Sequence, residues 1–117
     1  MSRKPITWMG STLEDLRAFP DKARNRAGFE LDAVQQGEMP SDFKPMKSVG
    51  PGTFEMRISA EPRQAHRVFY VAKFEEAIYV LHAFEKKTQK TARQDIQIGK
   101  RRYQEMLELR EDLRGER

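Results

Sequence analysis

The chain has 117 residues, 38% of them hydrophobic and 34% charged, which places it with single, highly charged globular domains and excludes disorder. It has no cysteine, so disulfides and thiolate chemistry are excluded. Its two histidines have no acidic cluster beside them, so neither a metal site nor any other cofactor is expected. No apolar run reaches membrane length and residues 1–8 lack the apolar core of a secretory signal, so the expected setting is the cytoplasm, without membrane partners.

Residues 5–9 read as a short edge strand anchored by Trp8 and broken by Gly10. Ser11 and Glu14 have the spacing of a capping box for a short helix carrying Leu13, Leu16 and Phe19. Pro20 suits the first turn of a second helix, in which Ala23, Ala27, Leu31 and Val34 recur at helical spacing and Gly37 ends the run. Arg17, Lys22, Arg24 and Arg26 then line the solvated side of this pair. Residues 37–53 contain three glycines and three prolines and read as a connector, with a short strand expected at 46–49.

The next segment alternates. Phe54, Met56 and Ile58 face one way, Glu55 and Arg57 the other. A hairpin turn at 61–64 leads to a strand over 66–73, with His66 beside the turn and read as a surface residue. A tight turn at 74–76 leads to a third strand over 77–84, and such short turns imply antiparallel pairing. Thr91 and Gln94 supply a capping pair for a final helix over about 92–113, whose apolar side holds Ile96, Tyr103, Met106 and Leu107. The expected fold is a single α+β domain spanning 1–117: an antiparallel sheet with two N-terminal helices packed on it and a C-terminal helix, the helices covering one face and one end.

Charge is concentrated at the last strand-to-helix junction. Residues 86–102 hold seven basic side chains and one acidic, a net of +6, whereas the whole chain is only +4. A positive ridge in that place suits a polyanion, most often nucleic acid; the plain alternative is a solvated helix face. Lys90, Arg93, Lys100, Arg101 and Arg102 are the candidate RNA-binding residues.

Several blocks together resemble the HigB-like, phage-derived branch of the RelE/ParE toxin superfamily. They are Trp8-Met-Gly-Ser11, Leu16-Arg-Ala-Phe-Pro20, Lys44-Pro-Met46, Glu55-Met-Arg-Ile58, His66-Arg-Val-Phe-Tyr70 and, most specifically, the run from Ile78 through His82, Lys86, Lys87 and Lys90 to Thr91. The resemblance spans roughly residues 5 to 103. It implies the toxin of a type II toxin–antitoxin system, neutralised by a helix-turn-helix antitoxin and cutting mRNA on the ribosome as RelE- and HigB-like members do. ParE-like members of the same fold inhibit DNA gyrase, so fold alone does not choose between a nuclease and a gyrase-binding inhibitor. A nucleic-acid-binding phage protein is a third reading.

Metal-independent RNA cleavage needs a base for the 2′-hydroxyl, an acid for the leaving 5′-oxygen and cations for the phosphate. Arg57 and Arg67 lie on strands joined by a short hairpin, and Lys86 and Lys87 leave the next strand nearby, so three segments bring cations to one sheet end. The resemblance implies catalytic roles for sheet basics at such positions, which carries the role to Arg57 and Arg67. Ion pairs with Glu55 or Glu85 are the alternative. His82 shares strand parity with Ile78, Val80 and Phe84 and is either a core histidine or an acid–base group. The superfamily often places a tyrosine near an end of the last helix; here Thr91 and Ala92 stand at its start and Tyr103, three turns on, reads as core, so the general base is unassigned.

Overall fold

The structure, a computed structural model, describes residues 3–62 and 64–115; Arg63 of the 61–64 turn lies outside them. In chain order the elements are β1 (Ile6–Trp8), α1 (Thr12–Arg17), α2 (Asp21–Gln35), β2 (Phe43–Pro45), β3 (Thr53–Glu61), β4 (Gln64–Val71), β5 (Ile78–Lys86) and α3 (Arg93–Arg114). They form one five-stranded sheet in the order β1-β5-β4-β3-β2, with two N-terminal helices and a C-terminal helix packed on it. This is the α+β architecture implied by the sequence. Strands β2 to β5 pair antiparallel, while β1 adds to β5 in parallel.

Both faces of the sheet are covered. The apolar stripe of α1 and α2 (Leu16, Phe19, Ala23, Ala27, Leu31, Val34) packs on Met56, Ile58, Val68, Tyr70, Ile78, Val80 and Ala83. On the other face Tyr103 and Met106 of α3 meet Phe69, Val71, Tyr79, Leu81 and Phe84. The reason lies in β5: its residues 78–84 are all buried, so neither side tolerates water. The expectation of helices on one face and one end is corrected accordingly. Each large side chain enclosed in these layers contributes on the order of 1.5–3 kcal/mol.

A bulge changes the parity of β5. Phe69 pairs with His82 but Tyr70 pairs with Val80, so Leu81 is the extra residue. Ile78, Val80 and Ala83 therefore face α1 and α2, whereas Leu81 and Phe84 face α3. His82 stacks on Phe84 (ring centroids 4.6 Å) and shares its side, which separates it from Ile78 and Val80.

Five local expectations are corrected. Ser11 makes no capping bond; its hydroxyl donates to Asp15 instead (2.8 Å). Pro20 is the cap residue of α2 rather than part of its first turn. The strand of the connector is Phe43–Pro45, set by pairing with residues 54–56, and not 46–49, where Met46 and Val49 are buried in the α3-side core. Thr91 does not cap α3; Ala92 holds that position and the Thr91 hydroxyl reaches Glu55. His66 is also not a surface residue: it is buried against Phe19 (ring centroids 4.5 Å), and burial lowers its pKa.

Candidate nucleic-acid interface

Helix α3 stops short of one end of the sheet face it covers. There β3, β4 and β5 project side chains into an open groove of about 780 Å³. Arg67 and Lys86 belong to the strands that form its floor. Ser59, Gln64 and Ala65 line the β3–β4 side, and Lys87, Thr88 and Gln89 line the side made by the loop into α3.

Beneath this groove is a carboxylate. Glu55 is fully buried, and its Oε1 lies 3.7 Å from Arg67 Nε, 3.8 Å from Arg57 Nε and 3.8 Å from Lys44 Nζ. These are ion-pair distances, longer than hydrogen bonds. The ladder explains the gathering: Lys44 pairs with Glu55, and Arg57 pairs directly with Arg67, so all four share the α3 face. Arg67 is braced by donating to the His66 carbonyl (3.0 Å), and Arg57 also lies 3.7 Å from Asp42. Burial lowers the pKa of Arg67, opposed by Glu55 and reinforced by Arg57. Burial likewise lowers that of Lys86; the positive charges of Arg67, Lys44 and Arg57 push the same way while Glu55 opposes them. Lys86 and the two arginines thus feel one another as a single positive field.

The structure brings Arg57, Arg67 and Lys86 together and places Lys87 on the groove wall. His82 it places elsewhere. The ring lies under α3, with Nε2 2.8 Å from Asp95 Oδ1, and desolvation lowers its pKa although Asp95 pulls upward. Lys90 and Arg93 are exposed at the groove-side end of α3, and Lys100 and Arg101 are exposed further along the helix. Arg102 parts from them: it is half-buried and donates to the Leu81 carbonyl (3.1 Å) and the Ser11 hydroxyl (3.3 Å). Glu85 belongs to the opposite side, next to His66, so it is Glu55 that serves the arginines. Tyr103 is core, donating to the Pro51 carbonyl (2.6 Å).

Two members were missed by sequence reasoning. Lys44 escaped because the connector strand was placed three residues late. Glu55 was legible only as an ion-pair partner; its parity with Arg57 was the available signal for a central place. Among the described residues no three His, Asp or Glu side chains gather as a ligand set, and no helix is long and apolar enough to cross a membrane.

Residues 14–104 match the family described as phage derived protein Gp49-like (DUF891), a RelE/HigB-like toxin family. The chain belongs to the Gp49-like family. No curated protein and no solved structure matches it. The family match takes in every groove residue of this Gp49-like protein, with Lys44, Glu55 and Arg57, and ends within α3, beyond Arg102.

Proposed function

We propose that this Gp49-like protein is the toxin of a type II toxin–antitoxin system and acts in the cytoplasm as a ribosome-dependent, metal-independent mRNA endonuclease. The observation that carries the reading is that Arg67, Lys86 and Lys87 line one open groove, with Lys44 and Arg57 beside it at ion-pair distance from the buried carboxylate that Arg67 also faces. A protein that only occludes a target has no need for cations converging where a phosphodiester would lie.

In this reading the 2′-hydroxyl of the mRNA gives its proton to solvent in the open groove, its oxygen attacks the adjacent phosphorus and the bond to the 5′-oxygen breaks, leaving a 2′,3′-cyclic phosphate and a free 5′-hydroxyl. Arg67 stabilises the charge that develops on the phosphate oxygens, its planar fork matching them. Lys86, whose pKa is lowered, is suited to give a proton to the departing 5′-oxygen. Lys87, Lys90 and Arg93 hold the strand on the helix side, Lys100 and Arg101 extend that hold toward ribosomal RNA, and a helix-turn-helix antitoxin is the neutralising partner.

Induced expression tests this. Growth should stop and mRNA should be depleted, with cyclic-phosphate ends at the cuts and DNA supercoiling unchanged. Intact mRNA together with trapped gyrase–DNA complexes would overturn the nuclease reading in favour of gyrase inhibition.

A further inference from the structure

Glu55 is a carboxylate with no solvent exposure in the middle of a cationic site. A charge is costly to bury unless opposite charges and hydrogen bonds meet it there. Here Oε1 lies 3.7–3.8 Å from Lys44, Arg57 and Arg67, at ion-pair distance but without a hydrogen bond from any of them, and Oε2 accepts the Thr91 hydroxyl at 2.9 Å. So enclosed, Glu55 does not reach a substrate in the groove. What it reaches is the pair of guanidinium groups that stand opposite each other on β3 and β4, a like-charged arrangement that repels when uncompensated. It also reaches the loop. Thr91 lies just before α3, and the groove wall of Lys87, Thr88 and Gln89 hangs between it and the end of β5. One carboxylate therefore touches the sheet cations with one oxygen and the helix-side wall with the other.

We propose that Glu55 is a positioning residue: it holds Arg57 and Arg67 in the orientation the groove uses and, through Thr91, fixes the separation of the loop wall from the sheet. The proposal rests on the endonuclease reading for its consequence in catalysis, but the positioning itself is measurable without any cleavage.

The first measurement is NMR of the arginine Nε–H groups and of the 87–90 backbone amides. In the unaltered protein Arg57 and Arg67 should give resolved, slowly exchanging Nε–H signals. Glu55→Gln should collapse or shift both, and Thr91→Val, which leaves the buried charge in place, should move the 87–90 amides. Unchanged arginine signals in Glu55→Gln would overturn the proposal, as would unmoved loop amides in Thr91→Val. If Glu55→Gln does not fold, Glu55→Asp, which keeps the charge on a shorter stem, takes its place with the same expected arginine shifts.

The second measurement is single-turnover cleavage at saturating ribosome. Glu55→Gln should slow it by about a hundredfold, the scale of losing one oriented donor, with ribosome affinity changed by less than about threefold. Because Glu55 acts through the two arginines, adding Glu55→Gln to a variant that already carries Arg57→Ala and Arg67→Ala should slow cleavage by no more than about threefold further. Independent, multiplying losses would overturn the positioning role. No cleavage by the unaltered protein, with the NMR changes present, would instead defeat the nuclease reading and leave the positioning role standing.

Discussion

Arg57 and Arg67 stand directly opposite one another across β3 and β4, and their Nε atoms lie 3.8 and 3.7 Å from the same oxygen of Glu55. They are not equivalent. Arg67 is 11% exposed and lines the groove, whereas Arg57 is 34% exposed and turns partly to Asp42. The pair divides one carboxylate between an inner and an outer cation.

The inner cation should matter more for chemistry. Arg67→Ala is expected to lower single-turnover cleavage by roughly tenfold to a thousandfold, the scale of losing one charge-stabilising donor, with little loss of ribosome binding. Arg57→Ala should cost less than Arg67→Ala in the same assay. Equal rates for Arg67→Ala and the unaltered protein, with the fold intact by circular dichroism, would reduce Arg67 to an ion-pair partner.

Much of this site was legible because strand periodicity is strict. Alternation from Phe54 to Ile58 put Glu55 and Arg57 on one side, and a short hairpin had to bring Arg67 near. The failures came where a single residue breaks a period. Leu81 bulges out of the β4–β5 pairing, which reverses the side of everything before it and puts His82 and Phe84 across the sheet from Ile78 and Val80. No composition signal marks that bulge. The caps failed for another reason: Ser11 and Thr91 found side-chain acceptors, Asp15 and Glu55, in place of helix N–H groups. Hydroxyls serve either kind of partner, and tertiary context decides.

Burial of both histidines predicts a pH dependence of stability. His66 and His82 are held below the ordinary value of 6.5, in each case mainly by desolvation. Above that value both rings are neutral folded or unfolded. As the pH falls through about 6.5, the unfolded chain takes up protons that the native rings refuse, so stability declines until the lowered native values are reached. Thermal unfolding should therefore show Tm falling as the pH drops below about 6.5, and His66→Phe, which keeps the ring contact with Phe19, should flatten part of that slope. A second, separate decline belongs to Glu76. The hydrogen bond from Arg110 holds its carboxyl at about 2, so the associated stability is lost as the pH drops from 4.5 toward that value. A Tm independent of pH across the histidine window would contradict the buried placement of these rings.

Gly99 tests how closely α3 sits on the sheet. A Cβ there would lie 2.9 Å from the Phe69 ring and 3.1 Å from Val49. In an exposed helix, glycine to alanine gains about 1 kcal/mol in propensity. Here the added methyl has to displace a packed ring, so Gly99→Ala should destabilise by about 1–3 kcal/mol in denaturant unfolding despite that gain. A stabilised variant would mean that α3 rides further from β4 than these distances state.

The basic triplet of α3 divides into two exposed cations and a structural residue. Lys100 and Arg101 are exposed and lie about 11–12 Å beyond Arg93 along the helix, at roughly 1.5 Å per residue, too far to share a scissile phosphate with the groove. Their task in the proposed function is to hold a polyanion, which releases counterions and so depends on salt. Replacing both with Gln should weaken ribosome association and flatten its salt dependence, lowering the slope of log affinity against log salt by about 1–2, while cleavage at saturating ribosome stays nearly intact. Arg102 should behave differently. It bonds the Leu81 carbonyl and the Ser11 hydroxyl, and it fills the space beside Gly10, whose φ of 55° and lack of a Cβ let the guanidinium pass within 2.5 Å of where that atom would be. Arg102→Gln should cost about 1–3 kcal/mol of stability, the range for charge-assisted bonds to partly buried acceptors, and should leave the salt slope as it was. A variant at Arg102 that flattened the slope without lowering Tm would return this residue to the polyanion-binding ridge; a Lys100, Arg101 pair whose loss left affinity and slope unchanged would make that ridge a solvated helix face.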